Sequence, residues 1–354
     1  MEICLVTPHA VRNYGAMLQA YALGHFIGSL GYPVTYYDFP PHRKKTAHTL
    51  KEFLAAKAFV LLKWCYRSKL AEQKDKFREF SSHFELTTDK DAPCFVVGSD
   101  QVWHPNNLDD IFSLAFASPR SMKFSYAASF GVDHIPASCE TRFQQAFGRL
   151  SYLSARESDG AKEVSRITGR ECAVHVDPTF LLSKETWEGA ERPIPEIEGP
   201  YTVLFLLYVP KDINRLVQRL RNRFARKIYI IDLNCYLHLG IHGTSPLINV
   251  GPREFLWLIH HAELVVTSSF HGMAFSLIFE RQFLPLVNPA FSSRMVNLLR
   301  MVNLDYDFRN PLAFLDRPID YSAGKPLENE IAKSKEYLVG TLKNISKEAG
   351  GAAQ

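Results

Sequence analysis

His271 is one of thirteen histidines in the chain, and its surroundings set it apart. It lies in VVTSSFHGMAFSLIF, Val265 to Phe279, where a β-branched apolar run ends in hydroxyl residues and a second apolar run follows. That pattern reads as a buried strand passing into a buried helix. An imidazole titrates near neutrality, so it can both give and take a proton. A core histidine satisfied by the backbone is the plain alternative, and the position at a strand end argues against it.

Four more stretches carry residues suited to chemistry. In TPHAVRNYGAMLQAYAL, Gly15 near a helix start leaves backbone N–H groups open to an anion, with His9, Arg12 and Asn13 in the same loop. An ordinary turn is the alternative there. In CFVVGSDQVWHPN, Asp100 and Gln101 can grip sugar hydroxyls, and Trp103 can stack on a pyranose face. Asp100 can also act as a base toward a hydroxyl. The other reading has Asp100 capping a helix and Trp103 in the core. In LSARESDGAKEV, Arg156 ends a strand and can clamp phosphate or carboxylate, or else form a salt bridge. In FSSRMVNLL, Arg294 opens a helix and again suits an anion.

These loops need strands and helices to hold them. EICLVT, PVTYYDF, CFVVG, KFSYAASF, LSAR and AVHVDPTFLL read as strands, separated by helix-length segments that include Thr49–His83. After a polar, Pro-rich break the alternation restarts at YTVLFLLYV and continues through KIYII, LINV, ELVVTSS and FLPLV. Helices are predicted over Ile213–Ala225, Pro252–His261, Gly272–Glu280 and Arg294–Asn303. The fold class is therefore α/β, with two doubly wound Rossmann-like domains facing across a cleft. The boundaries fall at 1–183, 184–324 with His271, and 325–354, a last helix packing back and a frayed tail.

Composition narrows the function. The chain is 46% hydrophobic and 22% charged with a net charge of +4, which gives no footprint for nucleic acid. Pro41–Phe80 concentrates eleven basic residues against four acidic ones. With Phe53, Leu54, Phe59, Val60, Leu61, Leu62 and Trp64 it suits an anionic lipid surface, or a core helix with a solvated basic face. The six cysteines are scattered without a CxxC, which fits reduced thiols and a cytoplasmic setting. No close ligand pair suggests zinc, so no metal is expected. No apolar run reaches the roughly 18 residues that span a bilayer.

NYGAMLQAYAL, VVGSDQVW, SARE, VDPTFLL and VVTSSFHGMAFSLIFERQFLPLV, in this order, resemble the polysaccharide pyruvyl transferases. The resemblance covers about Met1 to Leu299. It implies a fold like that of the GT-B glycosyltransferases. It also implies transfer of a pyruvyl group from phosphoenolpyruvate to a surface-polysaccharide sugar or its lipid-linked precursor, as a cyclic ketal on two hydroxyls. On this basis His271 and Asp100 are catalytic, and no cofactor is expected beyond phosphoenolpyruvate as co-substrate. Arg156, Arg294, Arg12, Ser269 and Gly272 are assigned to the donor; Asn13, Tyr14, Gln101 and Trp103 to the acceptor. Many members carry an arginine two residues before the histidine. Here that residue is Ser269, so Arg294, with Arg12 second, is expected to supply the cation. A lipid-linked acceptor would bring the chain to the inner face of a membrane. The rival readings are a GT-B glycosyltransferase using a nucleotide sugar and a non-catalytic glycan-binding relative.

Overall fold

The computed structural model describes residues 1–39, 62–132, 134–288, 293–321 and 326–351. Its strands are β1 (Ile3–Val6), β2 (Val34–Tyr37), β3 (Leu86–Thr87), β4 (Cys94–Val97), β5 (Met122–Ser125), β6 (Ser154–Ala155), β7 (Ala173–Val174), β8 (Tyr201–Phe205), β9 (Lys227–Ile231), β10 (Ser245–Leu247), β11 (Leu264–Thr267) and β12 (Phe283–Pro285). Its helices are α1 (Tyr14–Ser29), α2 (Arg67–Ser81), α3 (Glu140–Gly148), α4 (Ser158–Thr168), α5 (Lys184–Ala190), α6 (Ile213–Phe224), α7 (Pro252–His261), α8 (Phe270–Ile278), α9 (Ser293–Met301) and α10 (Pro326–Gly351).

The first sheet runs β3-β2-β1-β4-β5 and the second β10-β9-β8-β11-β12, with every pairing parallel. A short β6–β7 pair extends the first sheet through bridges from Phe124 to Tyr152 and from Ala128 to Ala155. The central strands β1, β4, β8 and β11 are buried along their whole length. Their continuous apolar runs follow from helices covering both faces. Strand order reverses between β1 and β4, and again between β8 and β11. A crevice opens at such a switch point beyond the strands' carboxyl ends. The loops carrying Gly15, Asp100 and His271 leave three of those strands, β1, β4 and β11.

The two sheets share one apolar core, which includes Leu5, Tyr14 and Phe77 from the first half and Phe205, Phe255 and Phe275 from the second. Tyr14 stacks on Phe255 at 4.6 Å and its hydroxyl donates to the Val250 carbonyl at 2.9 Å. Polar ties surround it: Gln73 Nε2 donates to Ile248 O at 2.5 Å, and Lys76 Nζ to Asn249 O at 2.9 Å. Part of the expected cleft is therefore packed shut. Helix α10 lies over the first sheet, where Val176 N donates to Ser334 Oγ at 3.1 Å and Leu338, Leu342 and Ile345 are fully buried.

Several expectations are corrected. The basic segment yields α2, whose Leu70, Gln73, Phe77 and Phe80 are buried against the rest of the chain. Its later part is thus a core-packing helix with a solvated basic face, while residues 41–61 lie outside the described residues. No helix among the described residues is long and apolar enough to cross a membrane. AVHVDPTFLL is a strand only at Ala173–Val174, because Asp177 caps a 3-10 turn starting at Pro178. The LINV strand sits earlier, at Ser245–Leu247. The helix expected from Gly272 starts at Phe270, because Ser269 caps it.

Tyr14→Phe leaves the Val250 carbonyl unpaired inside the shared core, which costs about 1–3 kcal/mol. Urea unfolding measures this; a loss below about 0.5 kcal/mol, the scale of a surface change, would show that the hydroxyl does not hold the junction.

Candidate active site

The TSS hydroxyls build the turn that carries His271. Thr267 Oγ1 donates to Phe205 O at 2.7 Å and accepts from Ser269 N at 3.0 Å. Ser268 Oγ accepts from Leu207 N and Tyr208 N, tying the β11 loop to the β8 loop. Ser269 Oγ accepts from Gly272 N at 3.4 Å and so caps α8. A Cβ on Gly272 would meet Thr267 Oγ1 at 2.3 Å, so glycine lets the first turn rest on the strand end. His271 is thereby fixed in that turn with its ring buried.

The ring crosses to the first domain. A Cβ on Gly15 would lie 2.0 Å from His271 Nδ1, so the start of α1 presses directly on the imidazole. Nε2, buried and without a hydrogen bond, faces Asp177 Oδ2 at 3.5 Å, within ion-pair distance. The same carboxylate oxygen accepts from Arg156 Nη1 at 2.5 Å and from Ser99 Oγ at 3.3 Å. Asp177 Oδ1 accepts from Thr179 N and Oγ1. Burial pushes the Asp177 carboxyl up, but the facing His271 and Arg156 outweigh it and hold it well below the usual carboxylate range.

Arg156 is buried, 4% exposed. Its Nε donates to Glu157 Oε1 at 3.3 Å, and its plane lies over the Phe270 ring at 4.4 Å. Nη2 is buried with no partner. Arg294, on α9, lines the same small cavity as Arg156, Asp177, Phe270 and Asn297. Burial and then the like charge of Arg156 push the Arg294 guanidinium down from its ordinary range, although it stays protonated. The Asp100 carboxylate acts on both guanidinium groups. Asp100 takes the left-handed conformation, φ 59°, with its carbonyl accepting from Val102 N and Ser129 N. His104, four residues on, is pushed down by burial and then by Arg294. The spare Arg156 Nη2 and the Arg294 guanidinium, beside one carboxylate-backed imidazole, have the chemistry to take a small anion.

The structure thus brings together His271, Asp100, Arg156 and Arg294. Other assigned residues lie elsewhere. Trp103 is fully buried between Phe130 and Phe147, so its indole is core and presents no face to a sugar. Tyr14 is spent on the domain junction. Arg12 is exposed and donates to Gln73 Oε1 and Asn234 Oδ1, tying the domains together away from Arg156. Asn13 is the exposed cap of α1, accepting from Ala16 N. Ser269 and Gly272 shape the turn rather than offering groups to a donor. Gln101 is half-buried over Gly131. Sequence reasoning gives no role to Asp177, while the salt bridge expected as an alternative for Arg156 is met by Glu157 as well as by Asp177. The aspartate's own signal is its place at a strand end before Pro178; nothing local reveals its distant partners Ser99, Arg156 and His271.

The sequence model of the polysaccharide pyruvyl transferase family matches residues 13–289. The chain belongs to the polysaccharide pyruvyl transferase family. That match contains every pyruvyl transferase motif residue named above except Arg12 and Arg294. No curated protein sequence matches the chain. Among solved structures, it is similar to a UDP-GlcNAc 2-epimerase from Neisseria meningitidis bound to UDP-GlcNAc, at 11% identity and TM-score 0.56 over 97% of this chain and 100% of that one. A UDP-GlcNAc 2-epimerase from Methanocaldococcus jannaschii gives 13% and 0.53 over 97% and 100%. At such identities the likeness shows the fold alone. This pyruvyl transferase family member has the GT-B-like architecture of two Rossmann-like domains.

Asp177 is ionised in the folded chain at pH values where the unfolded carboxyl, near 3.9, takes up its proton. Its contribution to stability is complete above about pH 4 and is lost as pH falls toward the depressed folded value. Asp177→Asn is expected to be less stable at neutral pH and to show a flatter decline below about pH 4 in a urea-midpoint series. An unchanged slope would mean that another group dominates acid unfolding.

Proposed function

We propose that the chain moves the pyruvyl group of phosphoenolpyruvate onto a sugar of a surface polysaccharide or its lipid-linked precursor, closing a cyclic ketal on two hydroxyls. The supporting observation is the shared cavity of Arg156 and Arg294 beside the Asp177–His271 pair. Phosphoenolpyruvate offers a carboxylate and a phosphate, which suit the free Nη2 of Arg156 and the Arg294 guanidinium. A bound anion also relieves the repulsion between the two arginines. Arg294 takes the part of the family arginine whose position is the α8 cap, Ser269.

Protonated His271, held by Asp177, delivers its proton to the methylene carbon. The neighbouring carbon becomes electrophilic, and a sugar hydroxyl adds to it. The carbon–oxygen bond to phosphate then breaks, and phosphate departs with the proton that Asp100 took from the first hydroxyl. The second hydroxyl closes the ketal and returns a proton to His271. Each step is a proton transfer, an addition or the departure of phosphate, so the scheme uses phosphoenolpyruvate as co-substrate and invokes no cofactor. A lipid-linked acceptor would be met at the inner face of a membrane.

Incubation with phosphoenolpyruvate and a panel of glycosides should release phosphate and yield a pyruvyl-sugar mass. Release of nucleoside diphosphate from a nucleotide sugar, with no pyruvyl product, would overturn the proposal in favour of glycosyl transfer. His271→Ala is expected to lower turnover at least about 100-fold. Gly15→Ala should cost at least about tenfold while the chain stays folded by circular dichroism, because the new methyl must displace the acid. Arg294→Ala should raise the KM for phosphoenolpyruvate; unchanged KM would place the anion clamp on other residues.

A further inference from the structure

We propose that Glu191, His260 and His261 form a binding site for a divalent transition-metal ion, zinc by its ligand chemistry, on the segment that joins the two sheets. The three residues share nothing with the His271 cluster. Glu191 directly follows α5, and the two histidines end α7. One ligand atom from each lies within 4.8 Å of the others. His260 Nδ1 is 3.0 Å from Glu191 Oε2, and His261 Nε2 is 4.0 Å from Glu191 Oε1. Two atoms each about 2.1 Å from a tetrahedral zinc sit about 3.4 Å apart, between those two distances.

The outer nitrogens are held as metal-bound histidines hold theirs. His261 Nδ1 lies 3.0 Å from the Trp257 carbonyl, to which it donates, and this leaves the Nε2 lone pair facing Glu191. His260 Nε2 faces Glu188 Oε1 at 3.5 Å, so a second carboxylate backs the second ring. Stacking on Phe279 at 4.6 Å fixes the His260 plane. His261 is 42% exposed, which gives an ion access and leaves a fourth position for water. Two imidazoles and a carboxylate favour zinc and its neighbours over magnesium or calcium. The next residue, Arg192, is paired with Glu79 of α2 and with Glu254 of α7. An ion here would therefore staple the connecting segment at the point where both domains already grip it.

The test uses the full chain after treatment with a chelator. Calorimetric titration with zinc should show one saturable equivalent. His261→Ala and Glu191→Gln should each weaken it at least about tenfold. Saturating zinc should raise the thermal midpoint of the parent chain but not of either variant. Cobalt(II) should give ligand-field bands without a thiolate charge-transfer band. Absence of a saturable equivalent, an affinity in both variants equal to the parent's, or a thiolate band pointing to Cys65 or Cys139 would each overturn the proposal. His261 ends α7 and Glu191 follows α5, both partly exposed, and unfolding without metal confirms that the variants fold. Pyruvyl transfer is not the readout, so the two proposals fail independently.

Discussion

The contact between Arg156 and Asp177 is a salt bridge with both side chains almost wholly removed from water. Burying two charges costs more than their attraction returns unless the remaining lone pairs and protons are satisfied. Here Ser99, Thr179 and Glu157 supply most of that satisfaction, and each comes from a different part of the chain. The pair therefore fixes the end of β6, the turn after β7 and the loop after β4 against one another. It also sets the carboxylate that His271 of the second domain faces.

That arrangement explains why so few groups in the cavity are electrically quiet. Arg156 compensates Asp177 with one nitrogen and keeps another unpaired. Arg294 brings a second positive charge into the same space. Asp177 and Glu157 balance the two guanidinium charges, but the buried Arg156 Nη2 is left unpaired, which is costly out of water and suits an anionic acceptor. The starts of α1 and α8 meet at Gly15 and His271, so two helix N-termini approach the same point.

The junction between the domains is packed for reasons unrelated to chemistry. Tyr14, Phe205 and Phe255 pack across it as ordinary core. Gln73 and Lys76 of α2 then satisfy the carbonyls just before α7. This packing holds the imidazole within ångströms of residues from the other domain. It also explains why Tyr14, whose motif position suggests ligand contact, is a structural residue.

Much of this could be read from the sequence. Continuous apolar runs set apart by helix-length segments dictate parallel strands and a doubly wound fold, because only helices on both faces bury such strands. The same runs place His271, Asp100 and Arg156 at strand ends, where the fold opens. The sequence alone thus determined the layers, the switch-point loops and the histidine. Tertiary structure decided which loop residues look outward and which look inward. Trp103 and Asp100 lie three residues apart; one is sealed between phenylalanines and the other faces two arginines. Tertiary structure also decided that Asp177 is the partner of His271, 94 residues away, since a carboxylate's role depends on which charges packing brings within a few ångströms. Local spacing carries no trace of such a distance, because it is set where two sheets far apart in sequence meet.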